Sequence, residues 1–281
     1  MKFVKHRKIV ADSSCDILTL SHVPFAVAPL KIITAQKEYV DDAHLDVLEM
    51  VEDLQHYHGR SSSSCPNSGD WIRAFGDAEE VFCVPITGTL SGSYNAALIA
   101  RDLYQEMHPG RRVFVFNSLT AGPEIGLILE KLQEMIRQGE DFETICTEIP
   151  KYAEKTGLLF LLESMKNLAN NGRVSPIVAK MAGILGIRAV GKASDRGDLE
   201  PLNKCRGEVK ALEVIVDHMK GMGWRTGKVR IAHCFNEEAG KTLKKLLQKE
   251  FSKVQVELYR CRGLCSFYAE KGGLLVGFEK F

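Results

Sequence analysis

The chain has 281 residues, is 45% hydrophobic, and nearly balances 37 Lys and Arg against 36 Asp and Glu. These values are sufficient for two modest domains with apolar cores, and they give no global basic field for nucleic acid. No run has the length of a membrane span or the pattern of a signal peptide, and the eight cysteines form no C-x-x-C pair. We therefore expect a cytoplasmic protein with reduced thiols, no metal, no nucleic-acid partner and at most transient contact with a membrane.

In the first half of the chain, short apolar runs alternate with helical patterns. The polar turn Asp12-Ser13-Ser14 follows the first of these runs, so Asp12 is either part of a binding site or a plain helix cap. The predicted elements, in chain order, are strands at 8–11 and 25–33, a hairpin edge at 38–42, and helices at 43–56 and 68–75.

Residues 81–86 come next and show no polar alternation, which is typical of a strand buried on both faces of a parallel sheet. The strand runs into a Gly/Thr/Ser turn and then into a helix that we expect to begin near Ser91. The first amides of a helix lack partners, and its positive dipole end favours an anionic group. Ser91 therefore either caps the helix or, with Gly92 and Ser93, binds an anion.

Two more segments rich in hydroxyls favour the binding interpretation. A serine cluster at 61–64 precedes the helix at 68–75, and the turn at 117–122 follows a strand at 113–116. Because the carboxyl ends of parallel strands meet at one edge of a sheet, the three segments are expected to form one pocket wall. Helices at 124–138 and 141–155 complete an N-terminal domain of residues 1–156.

A change of character near Thr156 places residues 157–281 in a second domain. A loop there carries Arg173, and the small apolar run at 177–190 either fills a core or lines a cavity. The other predicted elements are a strand at 158–162, a strand at 198–202, a helix ending near 222, a strand at 229–234, a helix at 237–251, and strands at 254–259 and 274–278.

Motifs for catalysis are weak. Ser91 lies in G-T-L-S-G, which differs from the G-x-S-x-G nucleophile elbow, and both the P-loop and the dinucleotide fingerprint are missing. Hydroxyls beside small apolar residues instead suit a carboxylate with a long tail, since each buried methylene contributes about 0.8 kcal/mol. An acyl hydrolase or transferase that uses Ser91, and a carrier of another anionic lipid, stay open as alternatives.

Short motifs along nearly the whole chain resemble those of the DegV family. In order, they are Asp12-Ser13-Ser14, Ser63-Ser64-Cys65-Pro66, Leu90-Ser91-Gly92-Ser93-Tyr94, Asn117-Ser118, Asn171-Gly172-Arg173-Val174-Ser175 and Lys204-Cys205-Arg206-Gly207. The resemblance implies an α/β fold with two domains. The first would be a Rossmann-like three-layer N-terminal domain with a parallel sheet, and the second a two-layer mixed-sheet α/β C-terminal domain.

The family consists of bacterial fatty acid-binding proteins that act as the lipid-binding subunit of fatty acid kinase. The resemblance implies that a long-chain fatty acid lies between the domains, with its carboxylate held by Ser63 and Ser91. The amides of Gly92 and Ser93 would assist, and Arg173 would dock the kinase subunit that forms the acyl phosphate. The lipid-binding subunit would need no cofactor and would perform no chemistry alone.

Two further residues complete the predicted fatty acid site. Ser118 matches the family's Asp-Ser turn, and Tyr268 stands where the family usually has a histidine. A phenol donates one hydrogen bond but cannot become a cation near pH 7. The resemblance therefore predicts a carboxylate site with an altered head-group contact at Tyr268.

Overall fold

A computed structural model describes residues 6–180, 186–251 and 253–281. Its strands are β1 (Arg7–Asp12), β2 (Phe25–Ala28), β3 (Lys31–Ile33), β4 (Glu38–Val40), β5 (Ser62–Ser64), β6 (Glu80–Val84), β7 (Arg112–Val115), β8 (Thr156–Leu162), β9 (Ile187–Ala193), β10 (Leu199–Arg206), β11 (Lys228–His233), β12 (Gln255–Arg260) and β13 (Leu274–Glu279). Its helices are α1 (Val47–His56), α2 (Ser68–Phe75), α3 (Ser93–Met107), α4 (Pro123–Gln138), α5 (Phe142–Ala153), α6 (Lys166–Asn170), α7 (Pro176–Ala179), α8 (Glu208–Gly221), α9 (Glu237–Glu250) and α10 (Gly263–Ala269).

The N-terminal half is built on a parallel sheet with strand order β2-β1-β6-β7. Successive side chains of a strand point to opposite faces of the sheet. Both faces of β1 and β6 are buried, because helices cover the two sides of this parallel sheet. Val10 and Cys83 pack with α2 and α3 on one face, whereas Ala11 and Val84 pack with α4 and α5 on the other. This is the predicted three-layer arrangement, and it is confirmed.

The C-terminal half is built on a mixed sheet with strand order β10-β9-β8-β13-β11-β12. Leu159 and Leu161 of β8 pack beneath α8 and α9 on one face. Phe160 and Leu162 point to the other face, where they share a cluster with residues of α6 and α10. The mixed α/β sheet is confirmed. β8 begins at Thr156, and the domain boundary beside it stays a prediction.

A small antiparallel sheet, with strand order β4-β3-β5, corrects two predictions. The single strand predicted at 25–33 is wrong: Pro29 separates β2 from β3, because proline lacks the N–H that would continue a ladder. The serine cluster is also not a turn at the edge of the parallel sheet. It forms β5, in which Ser63 lies opposite Ile32 of β3.

Two remaining predictions concern the apolar segments. Part of the apolar run at 177–190 forms the end of α7 and the start of β9, and residues 181–185 lie outside the described residues. No helix in the described part of the chain is long and apolar enough to cross a bilayer.

The tip of the β9–β10 hairpin contacts the loop that follows β6. The Thr89 hydroxyl donates a hydrogen bond of 2.7 Å to the carbonyl of Arg196. The neighbouring Gly197 has a φ of 83°, and a Cβ placed on it would lie 2.1 Å from Oγ1 of Thr87. Only glycine therefore fits this contact between the two halves of the chain.

We expect Gly197→Ala to lower the free energy of unfolding by more than Gly110→Ala. Both glycines have positive φ, which costs an alanine about 1 to 2 kcal/mol, but a Cβ on Gly110 meets nothing within 4 Å. The clash with Thr87 is thus an additional cost at position 197 alone. Urea unfolding of the two variants measures the difference. Equal losses of unfolding free energy would show that the hairpin tip shifts at no cost to relieve the clash with Thr87.

Candidate binding site

A pocket with mainly apolar walls lies between residues of the two halves. The face of β8 that carries Leu158, Phe160 and Leu162 forms one wall, as the alternation of a strand requires. The other apolar residues of the lining are Leu30, Ile86, Leu90, Ala121, Leu168, Leu199, Leu264, Cys265, Ala269 and Leu275. Walls of this kind suit an aliphatic chain.

Four polar side chains interrupt these walls, namely Ser63, Ser91, Arg173 and Tyr268. The hydroxyls of Ser63 and Tyr268 share a hydrogen bond of 2.7 Å. The guanidinium carbon of Arg173 lies 5.8 Å from the centroid of the Tyr268 ring, and its Nε donates to the carbonyl of Leu90, next to Ser91. We call these four residues the polar end of the pocket.

Ser91 caps the start of helix α3 and also lines the pocket, so the anion-binding role that the sequence offered as an alternative stays a prediction. Helix α3 begins at Ser93, two residues later than expected, and Gly92 at its N-cap position supplies no side chain. The Ser91 hydroxyl instead accepts a hydrogen bond of 3.2 Å from the amide of Ser93, and the same side chain lines the pocket. The amide of Ser93 is thus occupied by Ser91, and the predicted contacts of Gly92 and Ser93 with a ligand stay predictions.

Two of the predicted site serines, Ser93 and Ser118, are not among the residues that line the pocket, and their hydroxyls form hydrogen bonds within its loops. The hydroxyl of buried Ser93 donates to Oδ2 of Asp12 at 2.6 Å, and the amide of Ile86 donates to the same oxygen at 3.0 Å. The hydroxyl of Ser118 donates to the carbonyl of Thr120 at 3.1 Å. Asp12 is fully buried, and burial raises its pKa although four hydrogen bonds oppose that shift. Asp12 therefore positions the loop before α3, and a direct lipid contact by Ser118 stays a prediction.

Helix α10, which the sequence pattern did not predict, brings Tyr268 to the polar end. Its first amides, from Gly263 and Leu264, donate to the two carboxylate oxygens of Asp41 at 3.0 and 2.8 Å. A carboxylate at this place satisfies donors that a helix leaves unpaired. A Cβ on Gly263 would lie 2.7 Å from Oδ1 of Asp41, so the contact requires glycine. The two residues are 222 positions apart, and no local sequence signal connects them.

A second buried carboxylate strengthens the same contact. Oδ1 of Asp16 accepts a hydrogen bond of 2.9 Å from the amide of Arg262, directly before α10. Burial raises the pKa of Asp16 to about 7, and the nearby charge of Asp41 acts in the same direction. Asp16 and Asp41 thus connect the N-terminal half to the helix that carries Tyr268.

A parallel sheet, a mixed sheet and an apolar pocket lined by residues of both halves define this chain as a two-sheet α/β protein with an internal pocket. Comparison with known families shows which family of α/β proteins the chain belongs to. Residues 6–280 match the family described as uncharacterised proteins of the DegV family. The chain belongs to the DegV family, as its motifs predicted.

Relatives and solved structures agree with this assignment. The chain is 42% identical over 276 residues to a DegV domain-containing protein of Streptococcus pneumoniae R6, an alignment that covers 97% of this chain and 98% of the relative. A DegV family protein from Eubacterium eligens loaded with heptadecanoic acid gives a TM-score of 0.96 at 42% identity, covering 98% of this chain and 100% of that one. The fatty acid kinase (Fak) B3 protein of Streptococcus pneumoniae, loaded with linoleic acid, gives a TM-score of 0.96 at 42% identity, covering 98% and 99%.

We expect Asp41→Asn to lower the free energy of unfolding by about 1 to 3 kcal/mol, the usual cost of a buried hydrogen-bonding group left without its partner. An asparagine keeps one acceptor oxygen and presents an NH2 group to the second amide of α10. Asp42→Asn is the matched control, because Asp42 accepts from the amide of His44 in a turn that asparagine also forms. Urea unfolding measures the stability of both variants. A loss as small as that of the control would show that the Asp41 carboxylate does not stabilise the start of α10.

Asp16 should make stability depend on pH. Its pKa is about 7 in the folded chain and about 3.9 when unfolded, so between these values the folded chain holds a proton that the unfolded chain releases. The free energy of unfolding contributed by this group therefore falls as pH rises through that window. Asp16→Asn should show a shallower fall between about pH 4 and about pH 7 in urea unfolding. Parallel curves for the two proteins would contradict the raised pKa.

Proposed function

We propose that this protein is a cytoplasmic carrier that binds a long-chain fatty acid in the pocket and presents its carboxylate to a separate kinase subunit. The kinase would convert the carboxylate into an acyl phosphate, while the carrier performs no chemistry and needs no cofactor. The observation that carries the proposal is a pocket with apolar walls and one polar end formed by Ser63, Ser91, Arg173 and Tyr268. The heptadecanoic acid and linoleic acid in the two related structures support it.

The apolar walls would supply most of the affinity. Each methylene that leaves water contributes about 0.8 kcal/mol, so a long acyl chain stabilises the complex without any polar contact. The carboxylate must still be hydrogen-bonded, because an unpaired charge in an apolar pocket is strongly unfavourable. Ser63 and Ser91 can donate to it, and burial raises the pKa of Tyr268, which keeps that phenol protonated as a donor.

The location of the polar end suits presentation to a partner. Ser91 lies in the loop between β6 and α3, where Thr89 and Gly92 are exposed. A carboxylate at Ser91 would therefore lie just below the surface, whereas its tail would extend toward the buried face of β8. A kinase could reach the carboxylate from the loop without removing the acyl chain from the pocket.

The alternative of an acyl hydrolase has less geometric support. In the described part of the chain, the Ser91 hydroxyl bonds to the Ser93 amide and to no histidine or carboxylate that would act as its base. Ser91→Ala distinguishes the two functions, since a carrier would retain its lipid with a weaker head-group contact and a hydrolase would lose turnover. Binding of a different anionic lipid is a third outcome of the measurement below.

We expect the double variant Ser63→Ala with Ser91→Ala to bind linoleic acid about tenfold or more weakly than the wild type, because two donors to a charged group are lost. The matched control is Ser62→Ala, since Ser62 belongs to the same strand and points to its opposite face. Native mass spectrometry of the purified proteins, followed by titration with linoleic acid, measures the difference.

Two results would contradict the proposal at different levels. Unchanged affinity of the double variant would show that the head group is not bound by these serines. A wild-type protein that is purified without lipid and takes up no added fatty acid would refute the carrier function itself.

A further inference from the structure

Arg173 is a half-buried cation on the wall of the pocket. Its Nε donates to the carbonyl of Leu90 at 3.1 Å, and its Nη1 donates to the carbonyl of Asn171 at 2.6 Å. Both partners are neutral. Among residues 6–180, 186–251 and 253–281, the guanidinium forms no ion pair with a carboxylate. The positive charge of the polar end is thus oriented by the backbone but not neutralised.

The other groups of the polar end cannot supply a positive charge to pair with an anionic ligand. Ser63, Ser91 and Tyr268 carry neutral hydroxyls, and the phenol does not become a cation near pH 7. A guanidinium has five N–H donors in a planar fork that matches a carboxylate. The two carbonyl contacts leave several of these donors for a ligand. A half-buried cation without a counter-ion favours an anionic ligand, since a partner charge offsets the cost of its desolvation.

We propose that Arg173 binds the carboxylate of the fatty acid directly and makes the pocket selective for acids over uncharged lipids of the same chain. This inference rests on the proposed function. It differs from the role that the family resemblance implies for Arg173, which is to dock the kinase. Ser63 and Ser91 would orient the head group, and Arg173 would recognise its charge.

The test compares linoleic acid with linoleyl alcohol, which share one acyl chain and differ in head-group charge. For the wild type we expect tighter binding of the acid. Arg173→Met should lower the ratio of acid affinity to alcohol affinity by about 10- to 100-fold, as expected for lost hydrogen bonds to a charged group. Unchanged affinity for the alcohol shows that the variant is folded with an intact pocket.

Two further variants separate charge from geometry. Arg173→Lys keeps the cation but loses the planar fork, so its affinity ratio should lie between those of the wild type and Arg173→Met. Arg196→Met removes the same charge from an exposed position at the tip of the β9–β10 hairpin, and it should leave the ratio unchanged. A similar fall in Arg196→Met would mean that the general field of the surface, rather than contact with Arg173, selects acids.

The remaining outcomes also decide the matter. If Arg173→Met keeps the acid preference but no longer supports acyl phosphate formation by the kinase, Arg173 docks the partner and the inference is wrong while the carrier function stands. If it keeps both, the inference is wrong and Arg173 has neither role. If the wild type binds neither ligand, the proposed function fails together with the inference.

Discussion

The pocket depends on a contact between buried carboxylates and the start of a short helix. Asp41 accepts the first two amides of α10, and Asp16 accepts the amide just before it. Carboxyl groups removed from water need such hydrogen bonds, so the contact favours the observed position of the helix. That position matters because α10 supplies much of the pocket, namely Leu264, Cys265, Tyr268 and Ala269.

In the proposed function, burial would supply affinity along the apolar walls of the pocket, and hydrogen bonding would act at its polar end. The apolar walls contain no group that distinguishes one lipid from another by charge, so they provide affinity according to chain length and shape. Only the few polar groups near Ser91 could distinguish a charged lipid from an uncharged one. Because those groups are mainly hydroxyls held by their neighbours, they can orient a carboxylate without covering every oxygen lone pair. A head group bound in this way would remain chemically accessible.

The sequence predicted those elements whose causes are local. The apolar run of β6 and the amphipathic pattern of α2 each reflect burial within one segment, and their positions were correct or nearly so. The small sheet was missed because β5 consists of three serines and is a strand only through its pairing with β3. Helix α10 was missed for a similar reason, since its first amides are satisfied by Asp41, which is 222 residues away.

The motifs contain several of the residues that line the pocket, but they do not give the direction of each side chain. Ser91 and Ser93 lie two residues apart in one motif, yet Ser91 faces the pocket and Ser93 bonds inward to Asp12. A ligand adds contacts that the chain alone lacks, since an acyl chain in this pocket would contact β8 of one half and Ile86 of the other. A ligand that binds only the folded arrangement stabilises it in proportion to its occupancy. The acyl chain would therefore act as part of the core that joins the two halves, so that lipid loading and the cohesion of the protein are two aspects of one equilibrium.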